Sequence, residues 1–445
     1  MLIAHRIELA ADVEQADYFR QACGTDRFTW NWALAEWNRQ YESGQKPSSM
    51  ALKRQFNAIK YRQFSWLKDI HRDAHADAFA RLGKAWNAFF ADVKKGIKAH
   101  APKFKRKGQC QESFYVANDK LTLDEHRVRL PVIGWIMMKE APRFGGKVLG
   151  ATVSRDAGKW YLSVQIDVEV SWLAPKVERE AVGIDLNVKA IVCSDGAVFA
   201  TPQALKRETR RLNIRQRRLS RKLEAAKVAI GLKPKQRIPK GTRIPHSKNG
   251  LKSAHRLAAT HRRVRNLRRD FQHKTTSAIV RKSQATVIED LSVKGMTASA
   301  SGTLEVPGKN VRQKAGLNKA VLDVGFYEIR RQIEYKNERI GHRTVVADRW
   351  FPSSKTCSEC GTINTDLKLH HRDWTCACGV YHDRDLNAAI NLERLATAPD
   401  SNNIALPEAL RKVTPVRTRT RGKHEHKPVR NSGQEASLRE VRQSA

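Results

Sequence analysis

The sequence has no run of apolar residues near the ~18 that a membrane-spanning helix requires. Its first residues, MLIAHRIELAADVEQ, also lack the apolar core of a signal peptide. We therefore expect a soluble intracellular protein with no membrane partner. A chain of 445 residues is long enough for several domains that each bury a core, so folding does not require disulfides.

Cysteine is scarce, with seven among the 445 residues. Cys23, Cys110 and Cys193 stand alone, and the other four lie between residues 357 and 378. This distribution argues against a disulfide framework. It is typical of a metal site in a reducing compartment.

Acidic residues are also few, because 45 Asp and Glu face 83 Lys and Arg and leave a formal net charge of +38. A soluble protein tolerates such an excess most easily when its partner is a polyanion. Nucleic acid is therefore the leading candidate partner. A basic protein of a membrane surface is the competing interpretation.

The spacing of apolar residues divides the first 180 residues into two kinds of structure. Residues 13–97 repeat apolar side chains every three or four positions, most clearly from Phe79 to Ile97, which predicts a small helical bundle. A basic linker, APKFKRKGQ at 101–109, follows the bundle. Alternating segments predict the strands of a small antiparallel barrel or sheet, with the bundle inserted after its first strand. These segments are 2–9, 121–132, 147–154 and 160–168.

The second half of the chain predicts a buried sheet with helices, so the whole is a multidomain α/β protein. Three short strands follow Val182, with turns at DLN and SDG. Further strands are predicted at 285–291 and 344–348, with one helix at 319–340 between them. The last fifty residues, from Ala396, contain no aromatic residue and are predicted to be disordered.

Two basic segments lie inside this second half, and residues 206–222 alone carry nine Lys or Arg in seventeen positions. Each segment repeats an apolar residue every seven positions, which predicts two helices packed as an antiparallel hairpin over residues 205–283. Like charges in a hairpin repel one another unless a polyanion neutralises them, so we predict that it contacts nucleic acid. The predicted contacts are Arg207, Arg210, Arg211, Arg215, Arg218, Arg262, Arg265 and Arg269.

The clustered cysteines form a CxxCG motif and, further along, a CxCG motif. Four thiolates around one ion favour zinc, and a filled coordination shell leaves no position for a reactive water, so the predicted site is structural. The second motif is one residue shorter than usual. We favour Cys357, Cys360, Cys376 and Cys378 as ligands; His370, His371 or His382 are the alternatives to Cys376 or Cys378.

Three carboxylates occupy positions from which they could meet at one sheet edge. Asp185 follows the apolar residues VGI, Glu289 follows TVI, and Asp385 directly precedes the helical segment LNAAINL. Clustered carboxylates repel one another unless a hard dication lies between them, and two Mg²⁺ ions about 3.5–4 Å apart are the usual arrangement for phosphodiester cleavage. We predict that these three acids are catalytic Mg²⁺ ligands. Three nearby acids are predicted to support the site or the fold: Asp195, Asp290 and Asp383.

Taken together, these motifs resemble the TnpB family, the OrfB-type proteins of bacterial insertion sequences that are related to type V CRISPR effector nucleases. The resemblance rests on GIDLN, VIEDL, the SSKTCSECG and CACG motifs, HDRDLNAAINL and the PKFKRKG linker, and it extends over residues 1–395. It implies that Asp185, Glu289 and Asp385 are RuvC-like catalytic acids. It also implies that the four cysteines form a zinc knuckle.

The resemblance further implies a layout of domains. It predicts an RNase H-like (RuvC) nuclease core that is interrupted by the zinc knuckle, preceded by a wedge-type β-barrel with an inserted helical recognition lobe. The predicted boundaries are 1–10 and 110–180 for the barrel, 11–109 for the lobe, 181–347 and 381–395 for the core, 348–380 for the knuckle and 396–445 for the basic tail.

The activity implied by the resemblance is RNA-guided cleavage of DNA. A structured RNA encoded by the transposon would direct the protein to double-stranded DNA beside a short transposon-adjacent motif, and base pairing would read the sequence. Such a protein would work in the bacterial cytoplasm, associated with the nucleoid when bound to DNA.

Two other functions are compatible with the same motifs. A DNA-strand transferase, acting as the transposase itself, can use the same fold and acids. A guided DNA-binding repressor descended from a nuclease would be expected to have lost an acid, and all three are present here.

Overall fold

The computed structural model describes residues 2–169, 177, 179–239, 241–242, 244–368 and 370–397. The tail predicted at 396–445 therefore lies outside the described residues beyond position 397. Within the described ranges, every helix is too short or too polar to cross a membrane.

The amino-terminal part combines two antiparallel sheets with three inserted helices. Its elements are β1 (Leu2–Leu9), α1 (Val13–Glu42), α2 (Ser49–Gln63), α3 (Asp73–Lys94), β2 (Ser113–Ala117), β3 (Thr122–Asp124), β4 (Arg127–Leu130), β5 (Gly134–Met137), β6 (Lys147–Asp156) and β7 (Lys159–Asp167). One sheet has the order β1-β7-β6-β2, and the other is the β3-β4-β5 meander. Side chains of both sheets and of α1 share one core. The strand predicted at 2–9 is confirmed, and the helices are inserted directly after it.

One predicted strand is wrong in detail. The alternating segment 121–132 forms two strands, β3 and β4, rather than one. Asp124 ends the first strand because its carboxylate accepts hydrogen bonds from the Glu125 backbone N–H at 2.8 Å and from Arg127 Nε at 2.7 Å. This local bonding stabilises a turn where the sequence pattern shows only alternation.

The three inserted helices bury a core of their own, which includes Leu34, Phe56 and Phe79. The predicted apolar stripe on α3 is wrong beyond Trp86. Phe90 and Val93 are exposed, and Ile97 lies past the end of the helix because Gly96 adopts a left-handed conformation with φ 67°. Four of the five tryptophans in this region lie in or against this core, whereas Trp66 is exposed.

The carboxyl-terminal part is built on a mixed five-stranded sheet. Its elements are β8 (Arg179–Leu186), β9 (Ala190–Cys193), β10 (Val198–Ala200), α4 (Ala204–Val228), α5 (Lys248–Lys282), β11 (Ser283–Glu289), α6 (Val293–Met296), α7 (Val311–Val324), α8 (Phe326–Arg339), β12 (Arg343–Ala347), β13 (Asp373–Thr375), β14 (Tyr381–Asp383) and α9 (Arg384–Thr397). The order is β10-β9-β8-β11-β12, with β8, β11 and β12 parallel. One face packs on α5, α7 and α8, and the other packs on α9.

The single helix predicted at 319–340 is wrong. Two helices, α7 and α8, meet at Gly325, which has a left-handed φ of 76° that interrupts the helical backbone. A Cβ at this position would lie 2.5 Å from Gln272 Nε2. That amide donates to the Val324 carbonyl at 2.7 Å, so it satisfies a group that the helix end leaves free.

Candidate active site and metal centre

Two of the predicted acids extend rows of residues that face α9. Ala181, Gly183 and Asp185 alternate along β8, and Ala285, Val287 and Glu289 alternate along β11. The alanines and Val287 pack with Leu392 of α9. Since side chains two residues apart point to the same face of a sheet, both acids lie on the α9 face. The strands pair in parallel with Val287 opposite Gly183, so Glu289 lies one strand away from Asp185, about 4.8 Å between backbones.

Gly183 brings α9 against this face. A Cβ at Gly183 would overlap the Ala389 carbonyl oxygen and lie 2.5 Å from the Glu393 backbone nitrogen. The helix therefore rests on the strand backbone itself, and the small buried side chains of Ala388 and Ala389 permit this approach.

The contact at Gly183 also sets the position of Asp385. Asp185 lies two strand residues beyond Gly183, about 6.6 Å. Asp385 lies four helix residues before Ala389, about 6 Å. The charge of Asp385 affects the pKa of Asp185, so both acids lie on the same side of the contact.

Asp383 has a different role from Asp385. Its carboxylate accepts a hydrogen bond from the Leu386 backbone N–H at 2.8 Å, which is the bond that an N-cap side chain makes at the start of a helix. Asp385 lies inside the first turn and approaches Arg372 Nη1 at 3.7 Å. The geometry thus brings Asp385, rather than Asp383, to the other two acids.

The charges at this site are poorly compensated. The pKa of the Asp185 carboxyl is raised to about 8, first by burial and then by the negative charges of Glu289 and Asp385. The Arg384 guanidinium and the Asn187 amide, which donates to Asp185 Oδ2 at 2.6 Å, oppose this rise. Three crowded carboxylates of this kind are the donor set that a hard dication requires.

Glu289 is held by a serine from outside the sheet. Ser353 Oγ donates to Glu289 Oε1 at 2.6 Å, and Ser353 is buried. This hydroxyl fixes one carboxylate oxygen and leaves the other available for a ligand. Sequence reasoning missed Ser353, although it belongs to the SSKTCSECG motif.

The structure brings the four predicted cysteines together. Their Sγ atoms lie within 4.8 Å of one another, with Cys357 to Cys378 at 3.8 Å and Cys360 to Cys376 at 3.5 Å. Four sulfurs bound tetrahedrally at about 2.3 Å would be separated by about 3.8 Å, so the arrangement can hold one metal ion. Gly361 and Gly379 make the turns of the two motifs, with φ 77° and 87°.

One of the histidines considered as alternative ligands, His382, touches this cluster, but the ligand atoms that all lie within 4.8 Å of one another are those of the four cysteines. His382 Nε2 is 3.0 Å from Cys357 Sγ, which is a hydrogen-bond distance. That sulfur is one of the four that cluster together. His371 Nδ1 is 3.4 Å from the Lys368 backbone nitrogen, and its ring packs against that of His370.

Two asparagines on α9 fasten the cysteine segment to the active-site helix. Asn391 Nδ2 donates to the carbonyls of Ser353 and Thr356 at 2.8 and 2.6 Å. Asn387 Nδ2 donates to Thr356 at 2.7 Å, and its Oδ1 accepts from the Ser358 backbone N–H at 2.9 Å. The spacing of these asparagines, four residues apart in NAAIN, is the sequence signal that could have identified them.

Two of the three additional acids are used in ion pairs. Asp290 pairs with Arg330 at 2.9 Å and with Arg349, and Asp195 pairs with Lys282 Nζ at 2.8 Å. The Arg349 guanidinium, more than that of Arg330, lowers the pKa of Asp290. These contacts give both acids a structural role.

The basic arm formed by α4 and α5 uses some of its predicted nucleic-acid contacts internally. Arg262 Nη1 donates to the carbonyls of Asp156 and Ala157 at 2.9 and 3.1 Å. Arg265 pairs with the Asp156 carboxylate, and Arg215 donates to the Arg256 carbonyl at 2.7 Å. Arg215, Arg262 and Arg265 therefore have intramolecular partners, and their contact with nucleic acid stays a prediction.

The other predicted arginines of the arm remain available to a partner. Arg211 is exposed and pairs with Glu208 at 3.2 Å. The remaining four are exposed and, in the part of the chain that the structure describes, form no ion pair with a carboxylate. They are Arg207, Arg210, Arg218 and Arg269.

Family models match three parts of the chain. The IS605 OrfB model, described as "Probable transposase", matches residues 163–300. A "Cas12f1-like, TNB domain" matches 326–392, which includes all four cysteines. A "Helix-turn-helix domain" model of the same OrfB family matches 1–46, where the structure has β1 and the single long helix α1.

Curated proteins resemble nearly the whole chain. "Putative RNA-guided DNA endonuclease InsQ" of Escherichia coli K12 is 32% identical over 395 residues, covering 88% of this chain and 91% of that protein. A Streptomyces pristinaespiralis protein named "Putative RNA-guided DNA endonuclease" is 32% identical over 388 residues, covering 85% of each chain. Among solved structures, a Cas12f1–sgRNA–target DNA complex matches with 15% identity and a TM-score of 0.47, covering 86% of this chain and 83% of that one.

Proposed function

This chain belongs to the IS605 OrfB (TnpB) family, and on that premise we propose that it is an RNA-guided DNA endonuclease of an insertion sequence. The observation that carries the proposal is the convergence of Asp185, Glu289 and Asp385 on one face of the sheet, where burial and then the charges of Glu289 and Asp385 raise the pKa of Asp185 to about 8. The curated relatives, which match at 32% identity over most of the chain, are named as RNA-guided DNA endonucleases. The sheet order, a three-stranded meander followed by two parallel strands, supports the RNase H-like core that the resemblance implies.

The residues present fit divalent metal ions. Asp185, Glu289 and Asp385 would hold two Mg²⁺ ions, because carboxylate oxygens are the ligands that this ion prefers and the charges of Glu289 and Asp385 act on the largely buried Asp185. When bound, Mg²⁺ supplies Lewis-acid stabilisation of phosphate oxygens and a water of lowered pKa for phosphodiester hydrolysis.

The protein's own part in this reaction is to orient the acids and hold them in register. Asn187 and Ser353 each donate a hydrogen bond to one carboxylate oxygen, of Asp185 and Glu289 respectively, and so fix the direction of the remaining oxygens. The sheet sets the spacing of Asp185 and Glu289, and α9 brings Asp385 to them. The amino-terminal end of α9, where backbone N–H groups point outward, further favours negative charge at this place.

For the cysteine cluster we propose a structural zinc ion. The sulfur separations match the tetrahedral arrangement, and four protein ligands would fill the coordination shell. Through Ser353, Asn387 and Asn391 the zinc-bound segment would help to hold both Glu289 and α9.

The proposed partners are a transposon-encoded guide RNA and double-stranded DNA, met in the bacterial cytoplasm. The net charge of +38 and the unpaired exposed arginines of the basic arm support a polyanionic partner. Base pairing between RNA and DNA would choose the sequence, beside a short transposon-adjacent motif.

The test of this proposal begins with the RNA that co-purifies with the protein expressed from its native locus. Sequencing should return a transcript of the transposon end that continues into flanking sequence. The complex should then cut plasmid DNA that matches the flanking sequence, and a changed guide should move the cut. A protein that joins transposon ends without RNA would instead be a strand transferase, and one that binds matched DNA without cutting it would be a repressor.

Removal of the metal ion that the four cysteines would bind should abolish cleavage of matched DNA. We expect purified protein to contain about one zinc per chain and Cys357→Ala protein to lose it, measured by inductively coupled plasma mass spectrometry. Cleavage should fall with the zinc content, because Ser353 and α9 lose their support. Cys110→Ala is the control, since Cys110 lies outside the cluster and should keep the metal. Full zinc content in the Cys357→Ala protein would contradict the proposed ligand set.

Ser353→Ala is expected to slow cleavage of matched DNA about tenfold, the usual effect of losing a group that orients a metal ligand. The Mg²⁺ concentration for half-maximal cleavage should rise, because Glu289 would no longer be held in one direction. Ser354→Ala is the matched control, since the structure shows no hydrogen bond from its hydroxyl to Glu289. Equal Mg²⁺ dependence in both variants would exclude this role for Ser353.

A further inference from the structure

The basic linker at residues 101–109 has no regular secondary structure, yet its backbone is tightly held. The Asn31 side chain makes two hydrogen bonds to Lys105, one to the carbonyl at 2.9 Å and one from the backbone N–H at 2.8 Å. Trp30 Nε1 donates to the Lys103 carbonyl at 3.0 Å. The side chains of α1 thus fix the course of this irregular segment at two points.

The side chain of Lys105 is directed inward and adds a third attachment. Its Nζ lies 3.4 Å from Asp26 Oδ2 and 4.3 Å from the centre of the Trp30 ring. Asp26 is buried and also pairs with Arg81. Burial, with Arg81 nearby, lowers the pKa of Lys105 to about 8. Lys105 is therefore used to hold the linker rather than to meet a partner.

The neighbours of Lys105 remain on the outside. The Phe104 side chain is 53% exposed, and Lys103, Arg106 and Lys107 are exposed around it. Within the described chain, none of these three cations forms an ion pair with a carboxylate. A single exposed aromatic residue is ordinary on a protein surface. This one is unusual because it lies among unneutralised cations on a backbone that is fixed from within.

We propose that the linker is a binding site for an unpaired stretch of nucleic acid. One base would stack on Phe104, and the flanking phosphates would contact Lys103, Arg106 and Lys107. An aromatic platform within a cationic track is the arrangement that binds single strands, because every base has a flat face and every nucleotide a charge. Because the three attachments already fix the linker backbone, binding would not cost conformational entropy for ordering it. The inference rests on the proposed function for the presence of nucleic acid.

The test compares single variants of the full-length protein. Binding of a labelled transcript of the transposon end is measured with RNA-free protein, and binding of a labelled matched single-stranded DNA is measured with the RNA complex. Phe104→Ala should weaken one of these affinities about tenfold, as loss of one stacked base does. Tyr327→Ala removes an exposed aromatic on α8, outside the linker, and it should leave both affinities unchanged.

The salt dependence separates stacking from charge. Lys107→Gln should reduce the slope of log affinity against log salt concentration by about 0.7, the value for one phosphate contact on a single strand. Phe104→Ala should lower affinity without changing that slope. A Phe104→Ala protein that binds both probes as tightly as the wild type would refute the site. The site would also be refuted if Phe104→Ala reduced the slope of log affinity against log salt concentration as much as Lys107→Gln does.

Photo-crosslinking identifies which strand occupies the linker. Complexes are assembled with 5-bromouridine in the RNA or 5-bromodeoxyuridine in the DNA, irradiated and digested, and the peptide containing Phe104 is sought by mass spectrometry. A crosslink to RNA assigns the site to the guide, a crosslink to DNA assigns it to the target, and the absence of both overturns the inference. Wild-type protein that binds neither nucleic acid would refute the proposed function, whereas normal wild-type cleavage with no crosslink refutes only the linker site.

Discussion

Asp185→Asn protein, loaded with its RNA, is expected to leave matched DNA uncut, with a cleavage rate at least about 10³-fold below that of the wild type. The amide keeps the shape of the side chain and its contact with Asn187, so the loss is of charge alone. Without that charge the site would hold divalent ions weakly, because Asp185 lies beside the other two acids' charges in a largely buried position. Cleavage is measured on supercoiled plasmid under single-turnover conditions.

The same experiment distinguishes the two aspartates at the start of α9. Asp385→Asn should be as inactive as Asp185→Asn, whereas Asp383→Asn should cleave within about threefold of the wild type, because asparagine is an equally good N-cap. An inactive Asp383→Asn with an active Asp385→Asn would reverse the assignment. RNA binding should be unchanged in all three, which shows that the protein is folded and loaded.

The melting temperature shows whether Asp185→Asn loses cleavage through damage to the fold rather than through loss of charge. In EDTA at a pH above 8, where the Asp185 carboxyl is ionised, Asp185→Asn should melt at a higher temperature than the wild type, because a neutral amide replaces a buried carboxylate that lies beside two other negative charges. Lower thermal stability together with lost cleavage would instead indicate damage to the sheet.

Gly183→Ala is expected to destabilise the protein by about 3 kcal/mol and to reduce cleavage by at least about 10²-fold. The added methyl group would overlap the Ala389 carbonyl, and the clash is with helix backbone, which cannot rotate away as a side chain can. The helix must therefore move off the sheet and carry Asp385 with it. Stability is measured by urea unfolding, and cleavage as above.

Gly316→Ala on α7 is the matched control for this variant. Gly316 lies in a helix with open space around its Cβ position, so alanine should be neutral or stabilising by up to about 1 kcal/mol. A Gly183→Ala protein as stable and active as Gly316→Ala would show that α9 does not rest on the strand at this point.

The failures of sequence reasoning have local causes. The break at Gly325 was missed because the apolar period continues through it, and only the positive φ of that glycine reveals two helices. The hairpin at Asp124 was missed because its strands are short and its turn depends on one carboxylate. The intramolecular bonds of Arg262 and Arg265 were missed because the sequence does not show that the turn at Asp156 and Ala157 lies beside them.

The sequence by itself determined most of the strands and helices, the family, and the residue types proposed for both sites. The strand-borne acids, the paired cysteines and NAAIN are patterns of neighbouring residues. Such patterns can be recognised in the sequence without knowledge of the fold. Only the tertiary structure decided that Ser353 binds Glu289 and that α9 lies directly on Gly183. Each of these depends on residues many positions apart, and packing in three dimensions, rather than sequence period, sets their distances.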